Sequence, residues 1–322
     1  MQETLAAFDH IRLNFSPGSL HMLNIALAFV MFGVALEIKL EHFKKILLNP
    51  KSALVGVFSQ FFLLPFLTFL MVIALSKFIS PTIALGMILV AACPGGNISN
   101  FISSLAKGNV ALSVSLTAIA TLLAIFMTPL NFAFWGKMAI NFYEHAQADA
   151  LVRPIEIDAL QMFRTVFILL GIPLILGVFI NTKFPVFTKK VVNPIKKLSI
   201  LLFITIVVLA LAKNFDHFLR VIEYIFLIVF LQNALAFGTG YLIASVFKRP
   251  LIDRKTISIE TGIQNSGLAL VLIFNPRIFP PDMELGGMAI IAAWWGIWHI
   301  LAGIGVAGLW TNFKFGLIKE KS

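Results

Sequence analysis

The stretch ISIETGIQNSG, residues 257–267, places an acidic residue inside an apolar run long enough to span a membrane. Glu260 is the one clear acid at this depth, and no Lys or Arg lies comparably deep. A charge at the bilayer centre costs about 2.5–3.5 kcal/mol, so Glu260 needs a partner, a proton or a cation. Gly262 and Gly267 loosen the helix, and neighbouring oxygens suit a hard cation. The stretch predicts a cation site on an interrupted helix; the alternative is a protonated or water-exposed structural glutamate.

A second interrupted span is predicted from the stretch ACPGGNISN, residues 92–100. Pro94 removes a helical hydrogen bond, and Gly95 and Gly96 add backbone freedom. A half-helix that begins near Asn97 or Ser99 would present free N–H groups and partial positive charge to an anion. A lone proline kink is common in membrane helices, but two interrupted spans in separate halves of a chain point to a transporter site.

The composition excludes the soluble classes of protein. Of 322 residues, 59% are hydrophobic and 12% are charged, whereas a soluble domain carries about 25% charged residues. Runs of about 20 apolar residues match the length of a transmembrane helix. The pattern therefore predicts an all-α polytopic membrane protein with about nine spans, at 20–38, 51–76, 81–106, 109–136, 160–182, 195–213, 217–247, 254–275 and 285–313.

The order of the spans suggests two repeats. Residues 1–136 would form a first repeat of four helices whose leading helix is absent, and residues 160–322 a second repeat of five helices. An extracytoplasmic loop at 137–159 would connect them. No separate soluble domain and no cleavable signal peptide are expected.

The distribution of charge predicts the orientation in the membrane. The net charge is +10, and most of the 25 basic residues fall in one set of alternate loops and in the C-terminal tail. Basic residues favour the cytoplasmic side, so the N-terminus is expected outside and the C-terminus in the cytoplasm. The same distribution explains the positive charge without a nucleic-acid partner. The single cysteine, Cys93, excludes an internal disulfide and a cysteine-based metal cluster.

Several motifs together resemble the bile acid:sodium symporter family. The resemblance rests on residues 93–100 with 108–114, residues 260–267, the pair Trp298-His299, and MFGVAL at residues 31–36. It implies inverted repeats, a core domain built around two crossing broken helices, and a panel domain. It also implies two sodium ions and no organic cofactor.

The resemblance assigns candidate residues to three sites. The first sodium site takes oxygens from Ser99, Asn100, Ser113, Thr117 and Glu260. The second sodium site takes oxygens from Gln60, Glu260, Thr261, Ile263 and Gln264. The substrate would lie near the half-helix N-termini, at Asn97, Ile98, Asn265, Ser266 and the core-facing His299. The residue pattern assigns the helix breaks to Pro94, Gly95, Gly96 and Gly262.

The expected function is sodium-coupled symport of an organic carboxylate by alternating access. The substrate class stays open between a bile-salt-like anion and a small carboxylate such as pantoate, a keto acid or an amino acid. Alternatives are a proton-coupled or uncoupled organic anion carrier and an intramembrane enzyme that uses Cys93 and His299. The expected location is the lipid bilayer of a bacterial inner membrane, with no obligate protein partner. The aromatic residues Trp294, Trp295 and Trp298 would form an interface belt, pack in the core or stack on a ligand.

Overall fold

The described part of the chain is almost entirely helical. The computed structural model describes residues 25, 28–33, 35–36, 38, 50–96, 98–146, 157–212, 215–280, 283 and 285–313. Within these residues no β-strand forms, apart from one isolated bridge. The helices in chain order are α1 Pro50–Leu75, α2 Pro81–Ala92, α3 Ile98–Leu105, α4 Val110–Ala146, α5 Ala159–Lys183, α6 Pro185–Ala212, α7 Phe215–Val246, α8 Leu251–Gly262, α9 Ser266–Ile273 and α10 Gly286–Thr311.

Five helices in the described residues are long and apolar enough to cross a membrane. These are Pro50–Leu75, Val110–His145, Ala159–Lys183, Ile222–Val246 and Gly286–Thr311. They confirm the prediction of an all-α polytopic membrane protein. Of the predicted span at 20–38, the structure describes residues 25, 28–33, 35–36 and 38. The total of nine spans, the inverted repeats and the division into core and panel domains stay predictions.

Two helices extend beyond the limits predicted from the apolar runs. Helix α4 continues to Ala146 instead of ending at 136, so part of the predicted loop 137–159 is helical. Its extension buries Ala139, Ile140 and Tyr143 against the rest of the fold. Helix α6 begins at Pro185, before the predicted limit of 195. Charged residues mark the end of an apolar run, but they are good helix formers and do not end the helix.

Two of the predicted spans are broken, and the breaks meet. The first lies between α2 and α3, where Cys93 is extended, and the second lies between α8 and α9, where Ile263 is extended. Gly95 and Gln264 form an antiparallel bridge. The Gly96 N–H donates to the Ile263 carbonyl at 2.7 Å, and the Asn265 N–H donates to the Pro94 carbonyl at 2.8 Å. These bonds satisfy polar groups that the interrupted helices leave free.

Two of the four half-helices, α2 and α9, lie inside the helix bundle. Every residue of α2 and of α9 is buried. Helix α10 packs against α2, α3 and α9, while α7 packs along α8 and α4 covers α2, α3 and α8. At Gly240 of α7 an added Cβ would lie only 2.6 Å from the Ser258 Cα atom, so glycine lets α7 and α8 approach closely. Irregular backbone at membrane depth is thereby enclosed by protein.

Candidate cation and substrate site

The carboxylate of Glu260 is buried where α3, α4 and α8 meet. Glu260, near the end of α8, is 5% exposed. Its Oε1 atom accepts hydrogen bonds from the hydroxyls of Ser99, at 2.6 Å, and Ser113, and its Oε2 atom accepts one from Thr117 at 3.0 Å. Ser99 belongs to α3, and Ser113 and Thr117 lie one turn apart on one face of α4. In the described residues, its hydrogen-bond partners are all neutral hydroxyls.

The oxygens of this group outnumber the hydrogens available to bridge them. The Asn100 Oδ1 atom lies 2.9 Å from the Ser113 hydroxyl and 3.3 Å from the Thr117 hydroxyl. Each hydroxyl carries one hydrogen, yet both hydroxyls also contact the Glu260 carboxylate. A hard cation among these oxygens would satisfy acceptors that hydrogen bonds leave unsatisfied. The structure thus brings together all five residues predicted for the first sodium site; their role as ligands stays a prediction.

The charge of this oxygen cluster limits the kind of cation it suits. Glu260 supplies the only formal charge among its five residues. In the described part of the chain, no group of three or more His, Cys, Asp and Glu residues could hold a metal ion. Divalent cations in proteins are generally held with more carboxylate charge, so one carboxylate with neutral oxygens fits a monovalent cation better.

The residues predicted for the second sodium site also lie beside the point where the two helix breaks meet. The Gln60 Nε2 atom donates to the Gln264 Oε1 atom at 2.7 Å and to the Cys93 carbonyl at 2.9 Å. Gln264 in turn donates to the Thr261 carbonyl at 2.6 Å. The Ile263 carbonyl accepts the Gly96 N–H described above. The two glutamines therefore join α1 to both breaks and lie beside freed main-chain oxygens.

Gly95 leaves a gap that is lined by oxygens. A Cβ at this position would lie 3.3 Å from both the main-chain oxygen and the Oε2 atom of Glu260. It would lie 3.7 Å from the Ile263 carbonyl oxygen. Glu260 Oε2 and the Ile263 carbonyl oxygen, both assigned to the second sodium site, thus border the space that a side chain at Gly95 would occupy.

Gln60, which bonds to both helix breaks, lies in a π-helical turn of α1. Helix α1 widens into a π-helix over Ser59–Leu63, and Pro65 follows in the next α-helical turn. Pro65 has no N–H to offer the Phe61 carbonyl, which instead accepts a hydrogen bond from the Asn131 side chain at 3.0 Å. Such turns are frequent at functional sites because they redirect side chains.

Three of the residues predicted to bind substrate lie at the starts of α3 and α9, and His299 lies in α10. Asn97 lies outside the described residues, and Ile98 begins α3. The Asn265 side chain caps α9 by accepting the Leu268 N–H at 3.1 Å. The Ser266 hydroxyl and the Nδ1 atom of His299 are buried and find no hydrogen-bond partner in the part of the chain that the structure describes. The hydroxyl, and the imidazole in its Nδ1–H tautomer, can donate to an anion.

Two side chains that hold the breaks were not predicted from the sequence. Asn233 of α7 donates to the Gly262 carbonyl at 2.7 Å, and Thr128 of α4 donates to the Ala92 carbonyl at 2.8 Å. Both carbonyls end a half-helix and have lost their helical partners. The sequence feature that could have identified both residues is a polar side chain inside an otherwise apolar span, because such side chains commonly form hydrogen bonds between membrane helices.

These features define a class of protein. A helical membrane protein in which two interrupted helices meet beside a buried carboxylate has the architecture of a secondary transporter. The comparison of sequences is more specific. The chain matches the profile of the Sodium Bile acid symporter family over residues 24–220, and it belongs to that family.

Relatives come from bacteria, plants and animals. The "Uncharacterized sodium-dependent transporter YocS" of Bacillus subtilis (strain 168) is 31% identical, over 90% of this chain and 83% of the relative. The rice protein "Probable sodium/metabolite cotransporter BASS2, chloroplastic" is 30% identical, over 85% of this chain and 64% of the relative. The rat "Sodium/bile acid cotransporter 4" is 30% identical, over 80% of this chain and 58% of the relative. The family and these names indicate an integral membrane transporter and not an enzyme.

Proposed function

We propose that this protein is a sodium-coupled symporter of an organic carboxylate that works by alternating access. The observation that carries the proposal is the cluster of five oxygen-bearing residues around the buried carboxylate of Glu260. A buried carboxylate surrounded by neutral oxygens is suited to a monovalent cation. The printed names of the relatives, which describe sodium-dependent transport, support sodium as that cation.

Two sodium ions would be carried in each cycle, with Glu260 shared between them. The first would lie among the five-residue cluster, and the second would lie near Gln60, Gln264 and the carbonyls of Thr261 and Ile263. Two sodium ions and one monovalent carboxylate would move one net positive charge inward. A sodium-dependent uptake that is electroneutral would overturn this stoichiometry.

The carboxylate would bind at the starts of α3 and α9. Free N–H groups and partial positive charge at a helix N-terminus favour an anion. The Ser266 hydroxyl and the His299 Nδ1 atom, which have no hydrogen-bond partner among the described residues, support this position, and Asn97 precedes α3 in the chain. Bile-salt-like anions and small carboxylates such as pantoate, keto acids or amino acids are the substrate classes to screen.

The protein would reside in a bacterial inner membrane with its N-terminus outside and its C-terminus in the cytoplasm. The basic residues of alternate loops support this orientation. Residues 1–136 and 160–322 would form inverted repeats, each with a broken helix at the substrate site.

The first test compares the thermal stability of the purified protein in sodium and in potassium. A ligand at 100 times its Kd stabilises the folded state by about 2.7 kcal/mol, so sodium should raise the Tm of the wild type. Glu260→Gln should abolish the difference between the two salts. Glu223→Gln, at an exposed position of α7, is the matched control and should behave as wild type. No sodium effect together with a strong pH effect would overturn sodium coupling in favour of proton coupling.

A further inference from the structure

A second buried carboxylate lies two helical turns before Glu260. Asp253 is in the first turn of α8 and is 8% exposed. The two acids are seven positions apart in the sequence. That spacing is close to two turns, so both side chains lie on the same face of α8. The oxygen cluster described above does not include Asp253.

Both carboxylate oxygens of Asp253 accept hydrogen bonds from other elements. The Asn109 side-chain amide donates to Oδ1 at 2.8 Å, and the Ser52 hydroxyl donates to Oδ2 at 2.6 Å. Asn109 directly precedes α4, and Ser52 lies in the first turn of α1. Asp253 therefore ties the beginning of α8 to the beginnings of two other helices.

Asn109 fixes the beginning of α4. Its Oδ1 atom accepts the Leu112 N–H at 3.0 Å, which is the bond of an N-cap residue. Its own N–H donates to the Thr256 hydroxyl at 2.7 Å, one turn along α8 from Asp253. Ser113 follows Asn109 by one turn of α4, so the position of the cap determines where the Ser113 hydroxyl lies.

Helices α4 and α8 are thus connected at two levels. At the beginnings of the two helices, Asp253 and Thr256 hold Asn109. Further along both helices, Glu260 accepts hydrogen bonds from Ser113 and Thr117. An acid in the first turn of a helix also benefits from the helix dipole. An acid that only complements the dipole can stay exposed and needs no specific partner. Asp253 is buried and has a partner for each carboxylate oxygen, so the dipole alone does not account for it.

We propose that Asp253 is a positioning residue for the cation site: through Asn109 it sets the register between α4 and α8, and so the geometry of Ser113 and Thr117 around Glu260. This inference rests on the proposed function, because the cation is the sodium ion assigned there. Bonds to a charged acceptor are stronger than bonds between neutral groups, which accounts for a carboxylate at this position instead of an amide.

The test measures sodium affinity in the full-length protein by following Tm over a sodium titration at constant ionic strength. Asp253→Asn should weaken the Kd for sodium by about tenfold, which corresponds to roughly the loss of one charged hydrogen bond. The double variant Asn109→Asp with Asp253→Asn exchanges acceptor and donor across the same contact, and it should restore most of the affinity. Ser52→Ala, which removes one of the two bonds, should weaken the affinity less.

The control variant removes a buried hydrogen bond at another position of α8. Ser258→Ala removes a 2.7 Å bond to the Phe237 carbonyl and should lower the Tm in potassium without changing the sodium Kd. An unchanged sodium Kd in Asp253→Asn, whatever its Tm in potassium, would overturn the inference. If Asp253→Asn does not fold, an unchanged Kd in Ser52→Ala overturns it instead. A wild type without any sodium response would overturn the proposed function, and this inference with it.

Discussion

Gly95→Ala is the substitution that most directly tests the second sodium site. The added methyl group would lie 3.3 Å from the main-chain oxygen and Oε2 of Glu260. It would enter the oxygen-lined gap in which we propose the second ion. None of the glycines that the structure describes has a positive φ, so the backbone at Gly95 accepts alanine without strain. The methyl contacts are tight but involve no overlap below 3.0 Å, so the fold should be retained.

The expected magnitude follows from the number of ions bound. With each proposed ion at 100 times its Kd, one site contributes about 2.7 kcal/mol to the free energy of unfolding. Two sites filled in succession, each at 100 times its stepwise Kd, contribute about 5.4 kcal/mol together. Gly95→Ala should keep only the contribution of the first site, because none of the hydroxyls of that site is among the three atoms nearest the added Cβ. In potassium the variant should differ from wild type by about 1 kcal/mol or less, because a compatible Gly→Ala change has a small effect.

The assay is the sodium dependence of unfolding in detergent. The slope of the free energy of unfolding against the logarithm of sodium concentration reports the number of ions released, which should fall from about two to about one. Gly238→Ala is the matched control, because nothing lies within 4 Å of its added Cβ. A Gly95→Ala protein that folds and keeps the wild-type slope would refute the placement of an ion in this gap.

Three further substitutions address the surroundings of the site. Asn131→Ala leaves the buried Phe61 carbonyl without its partner, so it should lower the free energy of unfolding by about 1–3 kcal/mol, measured by denaturant titration in potassium; an unchanged midpoint would contradict the role of this bond. Asn233→Ala removes the partner of the Gly262 carbonyl at the end of α8 and should weaken the sodium Kd in the Tm titration, whereas a loss of stability with an intact Kd would restrict Asn233 to a structural role. His299→Ala should raise the KM for the carboxylate in proteoliposome uptake and leave the sodium-dependent gain in Tm intact; loss of that gain would contradict the assignment of His299 to the substrate.

The breaks and the buried acid could be predicted because local chemistry determines them. Pro94 together with Gly95 and Gly96 disfavours a continuous helix, and Gly262 with its polar neighbours weakens one inside an apolar run. Glu260 stands out because a charge at membrane depth is costly. Ser113 and Thr117 are four residues apart, a spacing that puts both hydroxyls on one face of a helix, and both donate to Glu260.

The partnerships across the fold could not be predicted in the same way. The bond between Gln60 and Gln264 joins residues 204 positions apart, and the bond between Ser52 and Asp253 joins residues 201 positions apart. Periodicity assigns a residue to a face of its own helix, but it does not determine which helix lies opposite or in what register. The end of α4 was mispredicted for a related reason, since hydropathy detects where lipid contact ends and not where helical hydrogen bonding ends.

The contacts where the two helix breaks meet explain how the proposed binding of sodium and the proposed binding of the carboxylate would influence each other. Ser99 lies in the first turn of α3, where the carboxylate is proposed to bind, and its hydroxyl donates to Glu260 at 2.6 Å. On the other side of the crossing, Asn265 caps α9 while its N–H holds the Pro94 carbonyl at 2.8 Å. An ion at Glu260 would therefore act on the start of α3 through one hydrogen bond and on the start of α9 through the paired breaks. Because binding free energies are linked, the factor by which sodium tightens carboxylate binding must equal the factor by which the carboxylate tightens sodium binding.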